Sequence, residues 1–246
     1  MSIPNTLPKT PPRRSNSVLS DIRFFLLHKP AIPTLIKCHS DSERENYSQR
    51  ILQRLEINVT DYTILNIHKI GIDAPVRYVF EELLNWDGDS TCWPNHIARV
   101  ERVDNRIDDI HIYLFGKKKY PAGFKKSFFG LKYIPLFNLD AIRIQHLPDP
   151  TDFDNARYFL YDCSGGYPIG IFSIYVRSPI AEQQEKEHTQ MFFVVGFNFY
   201  GKKEWSKTHR LINSAWENIH NRVSANILNR FKQLCEWRFQ KIQAGI

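Results

Sequence analysis

No stretch of this 246-residue chain is long and apolar enough to cross a bilayer as a helix. The longest apolar runs are Phe24–Leu27 and the segment 191–200, whereas a helical span needs about 18–20 residues. Its four cysteines, Cys38, Cys92, Cys163 and Cys235, have no CxxC or other ligand spacing. They therefore read as neither a zinc site nor a disulfide framework, and they point to a reducing, cytoplasmic compartment. HExxH, HxxxH and carboxylate-rich clusters are missing, so no metal is expected. GxGxxG is missing too, Ser164-Gly165-Gly166 is not a nucleophile elbow, and Gly196-Phe197-Asn198 is not a phosphate loop, so no cofactor is expected. Asp149, Asp152 and Asp154 alternate as calcium ligands would, but Pro150 interrupts them and the loop lacks the required Gly and Glu. No acidic residue precedes Asp21. With its Pro, Ser and Asn, that first stretch reads as a disordered tail, a composition an organellar presequence shares.

What is present is a globular composition: 42% hydrophobic and 13% aromatic residues, with 17 Phe and 11 Tyr. A large core and an aromatic-lined cavity are the two uses for that load. The formal charge of +7 gives a soft attraction to phosphate-rich surfaces without specifying one. Residues 1–60 are expected to form an N-terminal extension, partly disordered with short helices, and 61–246 one compact domain. Within the extension, residues 20–27 suggest a short amphipathic helix that packs on the domain or touches lipid. Residues 41–56 suggest a charged surface helix or helical linker.

From Asp61 the pattern is strand (63–72), short helix (75–86, Pro75 in its first turn), then strands with turns between them up to residue 200. Those strands fall at 91–103, 111–116, 128–137, 141–147, 156–163, 169–176 and 191–200, and without intervening helices they indicate an antiparallel sheet. In the last strand Met191, Phe193, Val195, Phe197 and Phe199 share one parity, as an inner face would. After Gly201 the period changes. Leu211 or Ile212, Ala215, Trp216, Ile219, Val223, Ile227, Phe231 and Leu234 draw one long amphipathic helix, starting near Ser206 or Ser214. At about 40–50 Å, its apolar stripe requires a sheet to lie on.

The segment Ile64–Val103 resembles the opening of a START-like, or polyketide-cyclase-like (SRPBCC), domain. The resemblance rests on a strand running into Asp73-Ala74-Pro75, the pair Val79-Phe80, the Trp93-Pro94 turn and Val100-Glu101. The closing strand and helix fit the same plan, and about residues 62–240 are covered. It implies an α+β helix-grip fold, in which a curved antiparallel β-sheet wraps around a long C-terminal α-helix with an elongated cavity between them. It also implies binding, and in some members transport or cyclisation, of lipids or other hydrophobic small molecules. A curved sheet and a straight helix cannot touch along their whole length, so side chains or a guest must fill the gap. Candidate liners are Tyr113, Phe115, Phe172, Ile174, Phe193, Val195 and Phe197 from the strands, with Trp216, Ile219, Val223 and Ile227 from the helix. The bland alternative is that these simply pack together.

His68 shares a strand face with Asn66, His146 shares one with Ile142 and Ile144, and His220 lies beside Ile219. Pointing inward, His68 or His146 would orient a ligand's polar end, or act as acid or base in a cyclase or hydrolase. Asp162, in an apolar strand, is either a buried site residue or a strand end. The lysines at 117–119 and 125–126, near Tyr120 and Phe124, concentrate in one connection instead of spreading over several strands. That favours a solvated or weakly membrane-facing loop over a nucleic-acid groove. Binding of a hydrophobic small molecule or lipid is thus the leading expectation. The alternatives are acid–base catalysis in the cavity, and an interaction role through the basic loop and the tail.

Overall fold

The computed structural model describes residues 23, 26–52, 62–84, 97–102, 109–114, 142–146, 156–163, 169–179, 189–198 and 210–245. The elements in chain order are α1 (Asp41–Leu52), β1 (Ile64–Ile72), α2 (Val76–Leu84), β2 (Ile97–Arg102), β3 (Asp109–Leu114), β4 (Ile142–His146), β5 (Ala156–Cys163), β6 (Ile169–Arg177), β7 (Thr189–Phe197) and α3 (Arg210–Gln243). The strands form one antiparallel sheet in the order β1-β7-β6-β5-β4-β3-β2. β2 to β7 follow one another as neighbours, and β1 joins β7, so the first two strands become the opposite edges. The protein is therefore α+β, with an antiparallel sheet and a C-terminal helix. The expected strand at 128–137, the basic connection at 117–126 and Phe115 lie outside the described residues. Among the described residues no helix is long and apolar enough to cross a membrane.

The register explains which residues go inside. Ile64, Asn66, His68 and Ile70 pair with Phe197, Val195, Phe193 and Met191, and the last two pair onward with Ile174 and Val176. Side chains alternate along a strand, so these share one face. Where α2 and the second half of α3 cover it, the face is a packed core of Ile70, Ile72, Ala74, Val79, Phe80, Leu83, Ile174, Val176, Met191, Leu228, Phe231 and Cys235. Four bonds hold the corner between β1 and α2 in place. Asp73 N–H donates to Glu236 Oε1 (2.7 Å), Lys232 Nζ to the Gly71 carbonyl (2.7 Å), Thr189 Oγ1 to the Ala74 carbonyl (2.6 Å), and Arg238 Nη1 to Glu82 Oε2 (2.6 Å).

The other parity is buried as well. Leu65, Ile67, Phe192 and Val194 lie on the opposite face and are inaccessible. Tyr47 of α1 reaches the Phe192 ring at 6.3 Å, Tyr175 at 5.9 Å, and the Arg177 guanidinium lies 5.1 Å from its centroid. α1 begins at a cap: Ser40 Oγ accepts from Glu43 N–H (3.0 Å), and the Glu43 carboxylate accepts from His39 N–H (2.6 Å).

Residues 28–36 bind the sheet edge and the long helix together. Leu35 bridges His68, with Ile36 N–H donating to the Ile67 carbonyl and Lys69 N–H to the Thr34 carbonyl, both at 2.8 Å. These residues cover part of an edge that would otherwise present unpaired backbone groups. On α3, Asn229 accepts from Ile32 N–H (2.9 Å) and donates to the Ile32 carbonyl (2.8 Å), and Asn226 donates to the His28 carbonyl (3.3 Å).

Candidate functional site

Over its first half α3 does not meet the sheet along its most apolar stripe, although Phe231 and Leu234, at the end of that stripe, are buried. Ser224, Leu228, Phe231 and Cys235 form the row buried over the sheet and α2, with His220 and Asn213 continuing it toward the helix start. Asn221, Lys232 and Glu236, on the flank toward β1, reach His68, Gly71 and Asp73. Successive residues turn about 100° on a helix. Trp216, Ile219, Val223 and Ile227 therefore lie about a quarter-turn from the buried row, on the flank away from β1. They are only half-buried. Leu211 is 88% exposed and Ala215 is also exposed, so neither continues the stripe that the periodicity suggests. The polar row is held against the sheet by specific partners, and this rotates the apolar one to the side.

Phe193 shows the same looseness from the sheet side. It sits on β7, between β1 and β6, on the face that α3 covers, and its neighbours Met191 and Val195 are fully buried. Phe193 itself stays partly accessible. Val195 and Phe197 are buried, the latter with its ring 5.4 Å from that of His220, and Ile174 belongs to the packed core. By register Phe172, paired with Val195, falls on this face, whereas His146, in line with Leu160, Ser173 and Val194, and Tyr113, out of phase with Ile110 and Ile142, fall on the other, so neither joins the expected lining. The structure thus brings His68, Phe193, Val195, Phe197 and Ile174 to one face, with the row from Trp216 to Ile227 on the helix beside it.

His68 is completely buried, with its ring 6.2 Å from Phe193. Its Nε2 lies 3.1 Å from Asn221 Oδ1 and its Nδ1 lies 2.9 Å from Thr34 Oγ1. With the Asn221 oxygen as acceptor, Nε2 carries the proton and Thr34 donates to Nδ1. Burial pushes its pKa from 6.5 down to about 4, and the Asn221 bond pulls weakly the other way. His220 lies 3.4 Å from Ser224 Oγ through Nδ1, and burial together with the nearby His68 takes its pKa down to about 3. Both imidazoles are neutral near pH 7. Proton transfer by His68 would first require Thr34 or Asn221 to let go. Among the described residues no group of His, Cys, Asp and Glu is arranged to hold a metal ion.

The partners of His68 were not legible in its surroundings along the chain. Thr34 and Asn221 lie 34 and 153 residues away, and the one local signal was a histidine at an inward parity of an otherwise apolar strand. His220 carried a comparable signal, set in the row that faces inward.

No protein-family model matches the chain, and no curated protein matches it. Among solved structures it is similar to the di-domain ARO/CYC protein BexL from the BE-7585A biosynthetic pathway, at 15% identity and a TM-score of 0.34, over 68% of this chain and 46% of that one. It is also similar to the di-domain ARO/CYC protein StfQ from the steffimycin biosynthetic pathway, at 11% and 0.42, over 85% and 58%. A third is an uncharacterised protein from Bacillus thuringiensis, at 12% and 0.35, over 67% and 99%. The chain spans about half the length of the two di-domain proteins. With identities and TM-scores this low, none of the three assigns a site residue or an activity to this chain.

Proposed function

We propose that this protein binds a hydrophobic small molecule or lipid between the sheet and α3, in a helix-grip arrangement with the sheet curving around the helix. The observation that carries this reading is the partial exposure of Phe193, an inward aromatic on an interior strand flanked by fully buried neighbours. On α3, the half-buried row of Trp216, Ile219, Val223 and Ile227 offers apolar surface that the chain's own packing leaves incompletely covered. Interiors are normally filled to crystal-like density, and an apolar face left short of that is a place for a guest. Of the other expected liners, Phe172, paired with Val195, would extend the site along the sheet. His68, neutral and doubly hydrogen-bonded, would form one polar wall.

Mass spectrometry of the native protein should reveal a co-purified apolar compound, and the delipidated protein should take up a fluorescent fatty-acid probe. Val223→Trp places bulk in the proposed space from a half-buried position, so it should lower probe affinity at least tenfold while leaving the unfolding transition near wild type. Absence of probe uptake, with no compound co-purifying from lipid-rich cells, would remove the proposal.

A further inference from the structure

The segment that ties the edge of β1 to α3 is fastened through its polar groups. Ile32 N–H and the Ile32 carbonyl both bond Asn229, and the His28 carbonyl accepts from Asn226. The Thr34 carbonyl accepts from Lys69 N–H, and the Thr34 hydroxyl meets His68. The apolar side chains of the same segment are left outside. Leu26, Leu27, Ile32 and Leu35 are 38%, 64%, 42% and 39% exposed, and Ala31 and Pro33 are exposed with them. Thr34 is buried between exposed Pro33 and Leu35, as alternation along an extended chain requires. Among the described residues seven large hydrophobics are exposed, and these four of them fall within ten positions. A single exposed leucine is ordinary. A run of apolar side chains, held in place by bonds on its other side, is a surface that favours an apolar neighbour.

The charge around this strip selects the neighbour. From Ile22 to Ser40 the sequence has no Asp or Glu, while Arg23, Lys29 and Lys37 are exposed. The helix beneath continues the pattern. Between Glu217 and Glu236, α3 has no acidic residue, and Arg222 lies four and seven residues before Asn226 and Asn229, on the side that the strip crosses. Asp41 and Glu217 stand at the Lys37 end, where Arg44 pairs with Asp41. Apolar side chains edged by cations fit the boundary of an anionic bilayer: the leucines enter the acyl margin and the cations meet lipid phosphates. A second copy of this chain would instead bring the same cations against them. We infer that residues 26–37 form a docking strip for an anionic phospholipid surface. The strip is separate from the sheet–helix cavity, and its docking does not require a guest there.

Co-sedimentation of the full-length protein with phosphatidylcholine vesicles, with and without phosphatidylserine, tests this. The protein should pellet with the phosphatidylserine vesicles, and added salt should weaken that binding. Leu27→Asp and Lys29→Glu should each lower it about fivefold or more. Both positions are exposed, so the unfolding transition should stay near wild type. Leu211→Asp makes the same change as Leu27→Asp at a residue 88% exposed at the start of α3; it should leave vesicle binding intact, as should Val223→Trp. The two strip variants should in turn take up the fatty-acid probe as the wild type does, so the strip and the cavity stand or fall separately. No binding to the phosphatidylserine vesicles, equal binding to neutral ones, undiminished binding in either strip variant, or equal weakening by Leu211→Asp would overturn the assignment.

Discussion

Acid should loosen this protein well above the pH at which carboxylates titrate, and two histidines supply the reason. His68 and His220 have folded pKa values of about 4 and about 3 against 6.5 in an unfolded chain, chiefly because burial penalises the imidazolium. Between pH 6.5 and the folded values the unfolded state binds a proton at each site that the native state refuses. Stability therefore rises with pH across that window and is lost as pH falls through it. At pH 5 each histidine is about 1.5 pH units below its unfolded pKa and still neutral when folded, which amounts to about 2 kcal/mol apiece relative to pH 7.5. The two together predict a loss of about 4 kcal/mol, a large fraction of a typical domain's stability.

Urea denaturation followed by tryptophan fluorescence at pH 7.5, 6 and 5 measures this directly. In His68→Gln the carboxamide N–H can still donate to Asn221 Oδ1 but does not titrate. The drop between pH 7.5 and 5 should shrink to about 2 kcal/mol or less. The groups facing His68 are Thr34, Asn221 and Phe193, none of which titrates in this range. A wild-type protein whose stability changes by less than about 1 kcal/mol, or a variant that keeps the full drop, would refute the assignment of the acid sensitivity to this seam.

Three further outcomes follow from packing. Gly196→Ala places a Cβ 2.9 Å from Tyr62 Cγ and 3.0 Å from Cδ2, atoms at the ring's root that cannot swing aside, so calorimetry should show a loss of about 1–3 kcal/mol. That loss should shrink when measured in a Tyr62→Ala background. Thr189→Val removes the donor to the buried Ala74 carbonyl and should cost about 1–2 kcal/mol in urea titrations; a neutral result would mean that the corner between β1 and α2 is held by the Glu236, Lys232 and Arg238 bonds without it. Tyr47→Ala uncovers the Phe192 ring and should cost about 2 kcal/mol, with faster hydrogen exchange confined to α1 and the outer face of β7 if that helix docks as a unit.

The sheet was legible in the sequence to the extent that it follows parity. Met191, Phe193, Val195 and Phe197 do share the inner face, because a two-residue period allows no other arrangement once one side is buried. Phe192 and Val194 carried a second signal that attention to one parity passes over. A strand apolar at both parities is covered on both sides, here by α1, whose charged sequence reads as a surface helix and hides the role of Tyr47 and the buried Ser48. The long helix was legible in extent but not in rotation. Periodicity assigns polar residues to solvent, yet Asn213, His220, Ser224, Asn226 and Arg230 are buried. Their burial depends on partners such as the His28 carbonyl, 198 residues away in sequence, and no local pattern encodes a bond of that span.

That rotation bears on where a guest would lie. Along β1 the helix is held by directional bonds from Asn221, Lys232 and Glu236, and along its outer side by Asn226 and Asn229 to residues 28–32. Each bond contributes about 1 kcal/mol and some, being charge-assisted, more. The docking of the helix therefore does not depend on its remaining flank. Trp216, Ile219, Val223 and Ile227 can stay incompletely covered without the helix leaving the sheet. If a guest covers them, its binding adds to stability by mass action, about 2.7 kcal/mol at a hundredfold excess over Kd. Apolar packing alone would have turned that row onto the sheet; polar attachment on two other sides is what leaves it half-buried.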